Sequence, residues 1–98
     1  MNDDSIKYIS KMIELIDSYR RGAISLIDMH YNIEALFELI EDIDKSDSFK
    51  IIFHKYWDHI EEIIAIGQVD EYLDIINNKI LLNFKRELNS IIIDDELI

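Results

Sequence analysis

Residues 3–22, DDSIKYISKMIELIDSYRRG, decide the fold. Ile6, Ile9, Ile13 and Ile16 recur at helical spacing, and Met12, Leu15 and Tyr19 widen the stripe. A helix with one buried face has this period. Asp3 and Asp4 stand at the positive end of the helix dipole, Arg20 and Arg21 at the negative end. Gly22 then offers a left-handed stop.

Three further segments repeat the pattern. Ser25 can cap the second, with Asp28 close behind it as in a capping box. Met29, Ile33, Leu36, Ile40 and Ile43 form its stripe, flanked by Phe37 and Leu39. The run Asp44–Ser48 reads as a short loop, with Asp47 or Ser48 capping the third helix. Phe49, Phe53, Tyr56, Ile60, Ile63 and Ile64 make the apolar side of that helix, with Trp57 at its centre and Gly67 as its C-cap. In the fourth segment Val69, Leu73, Ile76, Ile80, Phe84 and Leu88 hold the spacing and Ile91 extends it, with Asp70 as cap or first-turn acid. The tail Ile91–Ile93 followed by Asp94–Glu96 breaks the period, as a frayed helix end or a short extended piece. Helices are expected near 3–21, 26–44, 48–67 and 70–90. Ile and Val also favour strands, but helical spacing in every segment outweighs that, and no hairpin dipeptide is present. Short loops then make the fold class all-α, an antiparallel four-helix bundle.

Composition bounds the rest. The chain has 98 residues, which suits one acidic helical domain over 1–98, and 49% of them are apolar, enough for a real core. It has no Cys, so neither disulfides nor thiolate metal sites are available, which fits a cytoplasmic protein. Met1–Ser5 has no basic n-region, and no apolar run approaches the length of a membrane span. Neither a leader nor a membrane anchor is expected.

Catalytic signatures are missing. The histidines are His30, His54 and His59; His54, Asp58 and Glu62 share one helix edge, which supplies too few converging ligands for a metal. No metalloprotease or di-iron motif, nucleophile elbow or phosphate loop occurs. The chain is expected to be no enzyme and to need no cofactor or metal.

Charge points to a partner instead. Residues 28–74 hold 13 Asp and Glu against three Lys, a local charge of −10, while the whole chain carries −11. Such a surface repels nucleic acid and anionic membranes and attracts basic proteins. The basic spots Arg20–Arg21 and Lys79, Lys85 and Arg86 form no stripe. Read blandly, charge of this size only keeps a small protein in solution.

Two stretches carry a family likeness. Leu15–Ile16–Asp17–Ser18–Tyr19–Arg20–Arg21–Gly22–Ala23–Ile24–Ser25 resembles the opening of small bacterial immunity proteins of the colicin-like and contact-dependent growth inhibition type. Trp57–Asp58–His59–Ile60–Glu61–Glu62–Ile63–Ile64–Ala65 resembles their Trp-containing helix. The likeness covers residues 6–67 and rests on Tyr19, Gly22, Trp57, Glu61 and Ala65; Ile27 and Met29 depart from it, where an aromatic residue often faces the core. Tyr19, Gly22, Trp57 and Glu61 are accordingly read as structural positions. The resemblance implies a four-helix cytoplasmic antidote that neutralises a cognate basic toxin, often a nuclease that cuts tRNA. The expected contacts are Glu34, Glu38, Glu41 and Asp42 on the second helix, Asp58 and Glu62 on the third, and Asp70, Glu71 and Asp74 at the start of the fourth. The rival is a small homodimeric structural or regulatory protein without a toxin partner, with Phe37 and Ile92 as suspected homotypic contacts.

Overall fold

A computed structural model describes residues 1–96. The protein is all-α, with no strand among the described residues. Helices α1 (Asp3–Arg20), α2 (Leu26–Ile43) and α3 (Asp47–Ala65) are followed by a composite fourth segment. That segment is a 3-10 turn at Asp70–Tyr72, one α turn at Leu73–Ile75 (α4), a π turn at Ile76–Ile80, and α5 (Leu81–Glu96). Packing groups the described residues into two compact units: Met1–Ser46 with residues 88–96, and Asp47–Glu87.

In the first unit α1 and α2 form an antiparallel hairpin. Ile9, Met12 and Ile16 of α1 and Met29, Ile33 and Ile40 of α2 are buried. Three bonds close the turn between these helices: Arg21 N–H to Asp17 O (3.0 Å), Gly22 N–H to Tyr19 O (2.9 Å) and Ala23 N–H to Ser18 O (2.8 Å). This is the Schellman pattern, and Gly22 takes the positive φ of +79° that it requires. Ser25 caps α2, its Oγ accepting from the Asp28 N–H at 3.1 Å.

The far end of the hairpin is latched by Asp44. Its Oδ2 accepts the Asn2 N–H at 2.8 Å and the Ser5 hydroxyl at 2.5 Å. Asn2 itself caps α1, accepting from the Asp4 N–H at 2.8 Å. Ser5 is fully buried. The hydrogen bond from Ser5, reinforced by the Asn2 N–H and the terminal ammonium, holds the Asp44 carboxyl below its ordinary value against the opposing effect of burial. The terminal ammonium also lies 3.6 Å from Asp95.

The second unit has an aromatic core. Phe49, Phe53, Trp57, Ile60 and Ile63 of α3 are buried, as are Ile76, Ile80, Leu81 and Phe84. Trp57 is only 1% exposed and stacks on Phe53, with ring centroids 5.4 Å apart. Phe84 meets Phe53 edge-on at 5.9 Å and Trp57 at 6.2 Å. Gly67, at φ +71°, ends α3 in the same manner as Gly22 ends α1. The π turn has its own cause. Ile76, Ile80, Phe84 and Leu88 are buried at four-residue steps, which drift about 40° apiece around an α-helix. One wider turn takes up part of that drift.

The structure departs from the expected stripes at several places. In α1 the fully buried row is Ser5, Ile9, Met12 and Ile16, while Ile6 and Ile13 are half-buried, because a bonded serine occupies a core position. Leu39 and Ile43 of α2 and Leu73 of the fourth segment are exposed. Asp47 and Ser48 lie inside α3. Ile91–Glu96 continues α5 as helix.

Candidate partner-binding surface

The acids of α2 divide between two faces. Glu38 and Asp42, four residues apart, are exposed on the side away from Met29, Ile33 and Ile40. Glu34 and Glu41, seven apart, sit half-buried at the edge of the packed face. Glu34 Oε1 lies 3.1 Å from His30 Nε2, one helical turn away, so its carboxylate already has a polar neighbour. The four acids expected to act together therefore differ: Glu38 and Asp42 are exposed, and Glu34 and Glu41 are half-buried.

In the second unit Asp58 and Glu62 are exposed one turn apart on α3. Asp58 meets His54 Nδ1 at 2.9 Å, as their i, i+4 spacing allows. Asp70, Glu71 and Asp74 are exposed around the 3-10 turn, and Asp74 Oδ1 accepts from Asn78 at 2.6 Å. Each unit thus presents an acidic helical surface of its own. Among the positions read as structural, Trp57 is core, Gly22 is a cap, Tyr19 is half-buried in the first unit and Glu61 is exposed in the second.

Tyr56 and Lys55 form a further polar group in this unit. Lys55 Nζ lies 5.1 Å from the Tyr56 ring centroid and 3.6 Å from Glu87. Burial, then the Glu87 hydrogen bond, pushes the Tyr56 hydroxyl up. The Tyr56 hydrogen bond, then the charge of Glu87, raises Lys55.

One feature of α2 was not anticipated from the sequence. Ile27, Tyr31, Ala35, Leu39 and Ile43 follow one another every four residues, and all are exposed. Tyr31 is 68% exposed. Beside this row α1 and α2 enclose a groove of about 400 Å³, lined by Leu15, Ala35 and Leu36 together with Lys11, Glu14 and Asn32. The four-residue period was legible, but Leu39 and Ile43 satisfy the core stripe equally well on paper. Phe37 and Ile92, the residues suspected of homotypic contact, are half-buried.

Comparison with known proteins finds no matching family model, no matching curated protein and no matching solved structure. No helix among the described residues is long and apolar enough to cross a membrane.

Proposed function

We propose that this chain is a non-catalytic cytoplasmic antidote that binds and neutralises a basic protein toxin, of the nuclease kind that the immunity-protein resemblance implies. The observation that carries this reading is the outer face of α2, where exposed Glu38 and Asp42 accompany an exposed Tyr31. Solubility accounts for the acids but not for a tyrosine aligned with exposed Ile27, Leu39 and Ile43. Aromatic anchors with charges around them are the usual makings of a tight protein interface. The acids steer a basic partner into place and compete for the Lys and Arg that would otherwise hold phosphate. Asp58 and Glu62, then Asp70, Glu71 and Asp74, supply secondary contacts.

The test is capture of a co-encoded basic protein domain, followed by rescue of cells from its toxicity. Glu38→Ala with Asp42→Ala should weaken binding by roughly 2–4 kcal/mol and leave folding intact. Adding Glu41→Ala should contribute less, because Glu41 is half-buried. Rising salt should slow association more than it speeds release. Failure to bind or protect against any co-encoded basic protein refutes the proposal.

A further inference from the structure

The exposed row on α2 is unusual for a protein of this charge. Single exposed apolar side chains are ordinary, whereas aligned ones mark contact surfaces. Ile27, Tyr31, Ala35, Leu39 and Ile43 run the length of an 18-residue helix, a span of about 24 Å. The four-residue step makes them one ridge, the relief that a second helix accepts in its grooves. At mid-ridge sits Ala35, which also lines the groove beside Leu15 and Leu36 and leaves room for an incoming side chain. Exposed Asp28, Glu38 and Asp42 are interleaved with the ridge.

We infer that this ridge docks an amphipathic helix of a basic protein. Leu-like side chains at three- and four-residue spacing seat on Tyr31, Ala35 and Leu39, and flanking Lys or Arg meet Asp28, Glu38 and Asp42. The inference rests on the reading that the partner is basic, and adds which of its elements makes contact. A helix fits better than an extended segment, because strand addition needs a free sheet edge and the described residues contain no strand. Charge complementarity selects a basic helix. A second copy of this chain, which carries −11, would bring Glu38 and Asp42 against acids of the same sign.

The probe is a labelled synthetic helix of about 18 residues with a Leu stripe and Lys on its other faces. Its control has the same composition with the stripe scrambled. Binding of each to the full chain is read by fluorescence anisotropy. The striped peptide should bind about tenfold or more tightly than the scrambled one. Tyr31→Ala and Leu39→Glu should each weaken it by about tenfold, with unchanged far-UV circular dichroism. Glu38→Gln with Asp42→Asn should weaken it and flatten its salt dependence. Ile51→Glu, on the equally exposed Ile51 of α3, should change nothing. Equal binding of the two peptides, or binding indifferent to Tyr31→Ala and Leu39→Glu, overturns the inference. So does sedimentation showing a dimer that Leu39→Glu dissociates, which would assign the ridge to a second copy. A co-encoded toxin that binds both ridge variants normally refutes this docking mode but leaves the antidote reading standing. Selective peptide binding without any co-encoded partner refutes the antidote reading and leaves the docking mode standing.

Discussion

Asp44→Ala is the most informative single change in the first unit. The wild-type carboxylate holds two donors, the Asn2 N–H at 2.8 Å and the Ser5 hydroxyl at 2.5 Å. Ser5 is fully buried, so losing its acceptor strands a hydroxyl away from water, at a cost of about 1–3 kcal/mol. The Asn2 N–H lies at an exposed helix end, where water can replace the lost acceptor at little cost. A total near 2–3 kcal/mol is expected at neutral pH. Ser5→Ala removes the donor and leaves a carboxylate that water can still reach, so it should cost about 1 kcal/mol. The double variant should lose less than the sum of the two. Asp44 has a lowered folded pKa, with the Ser5 hydrogen bond as the largest cause. Its ionised form therefore stabilises the fold fully above the unfolded value, near 3.9, and that contribution fades as pH falls through the lower folded value. Urea denaturation followed by circular dichroism, at about pH 7 and again between about pH 4 and 2, measures this directly. The gap between wild type and Asp44→Ala should narrow on acidification. A gap under about 0.5 kcal/mol at neutral pH, or one that holds constant down to about pH 2, would refute the latch.

Trp57→Ala, which empties the aromatic centre of the second unit, should cost about 3–5 kcal/mol in chemical denaturation; a loss under about 1 kcal/mol would contradict its core role. Gly22→Ala meets no atom within 4 Å of the added Cβ, so its expected cost of about 1 kcal/mol comes from the positive φ alone. Gly22→Asn should cost less, and a neutral or stabilising Gly22→Ala would show that the turn relaxes out of the left-handed region. In an ultraviolet titration Tyr56 should ionise above the usual tyrosine value near 10, and Glu87→Gln should bring it down; a Tyr56 that titrates at or below that value would contradict the burial and the Glu87 bond.

Helix content was legible because apolar spacing, Ser25, Gly22 and Gly67 all point the same way along the chain. Three things were not. Ser5 is polar, so a stripe drawn through apolar residues passes beside it; only its bond to a residue 39 positions away explains its burial. Leu39 and Ile43 continue two rows at once, and a single helix cannot say which row another element covers. Glu34, Glu38, Glu41 and Asp42 look equivalent as a charge list, yet 100° of rotation per residue divides them between an edge and an outer face. The terminal Ile91–Glu96 run looked broken because three consecutive isoleucines hide any period, and the backbone nonetheless stays helical there.

The π turn at Ile76–Ile80 has a genetic consequence. Deleting one codon inside a helix normally rotates everything downstream by about 100° and scrambles its buried face. At Ile76–Ile80 the backbone already carries the equivalent of one surplus residue, with the Leu81 N–H reaching back five positions to the Ile76 carbonyl. Loss of exposed Asn78 or Lys79 lets that loop of backbone tighten into an ordinary turn, while Phe84 keeps its facing. Within the fourth segment this is where a length change can pass through selection, and where chains of common descent would be expected to differ by a single-residue gap.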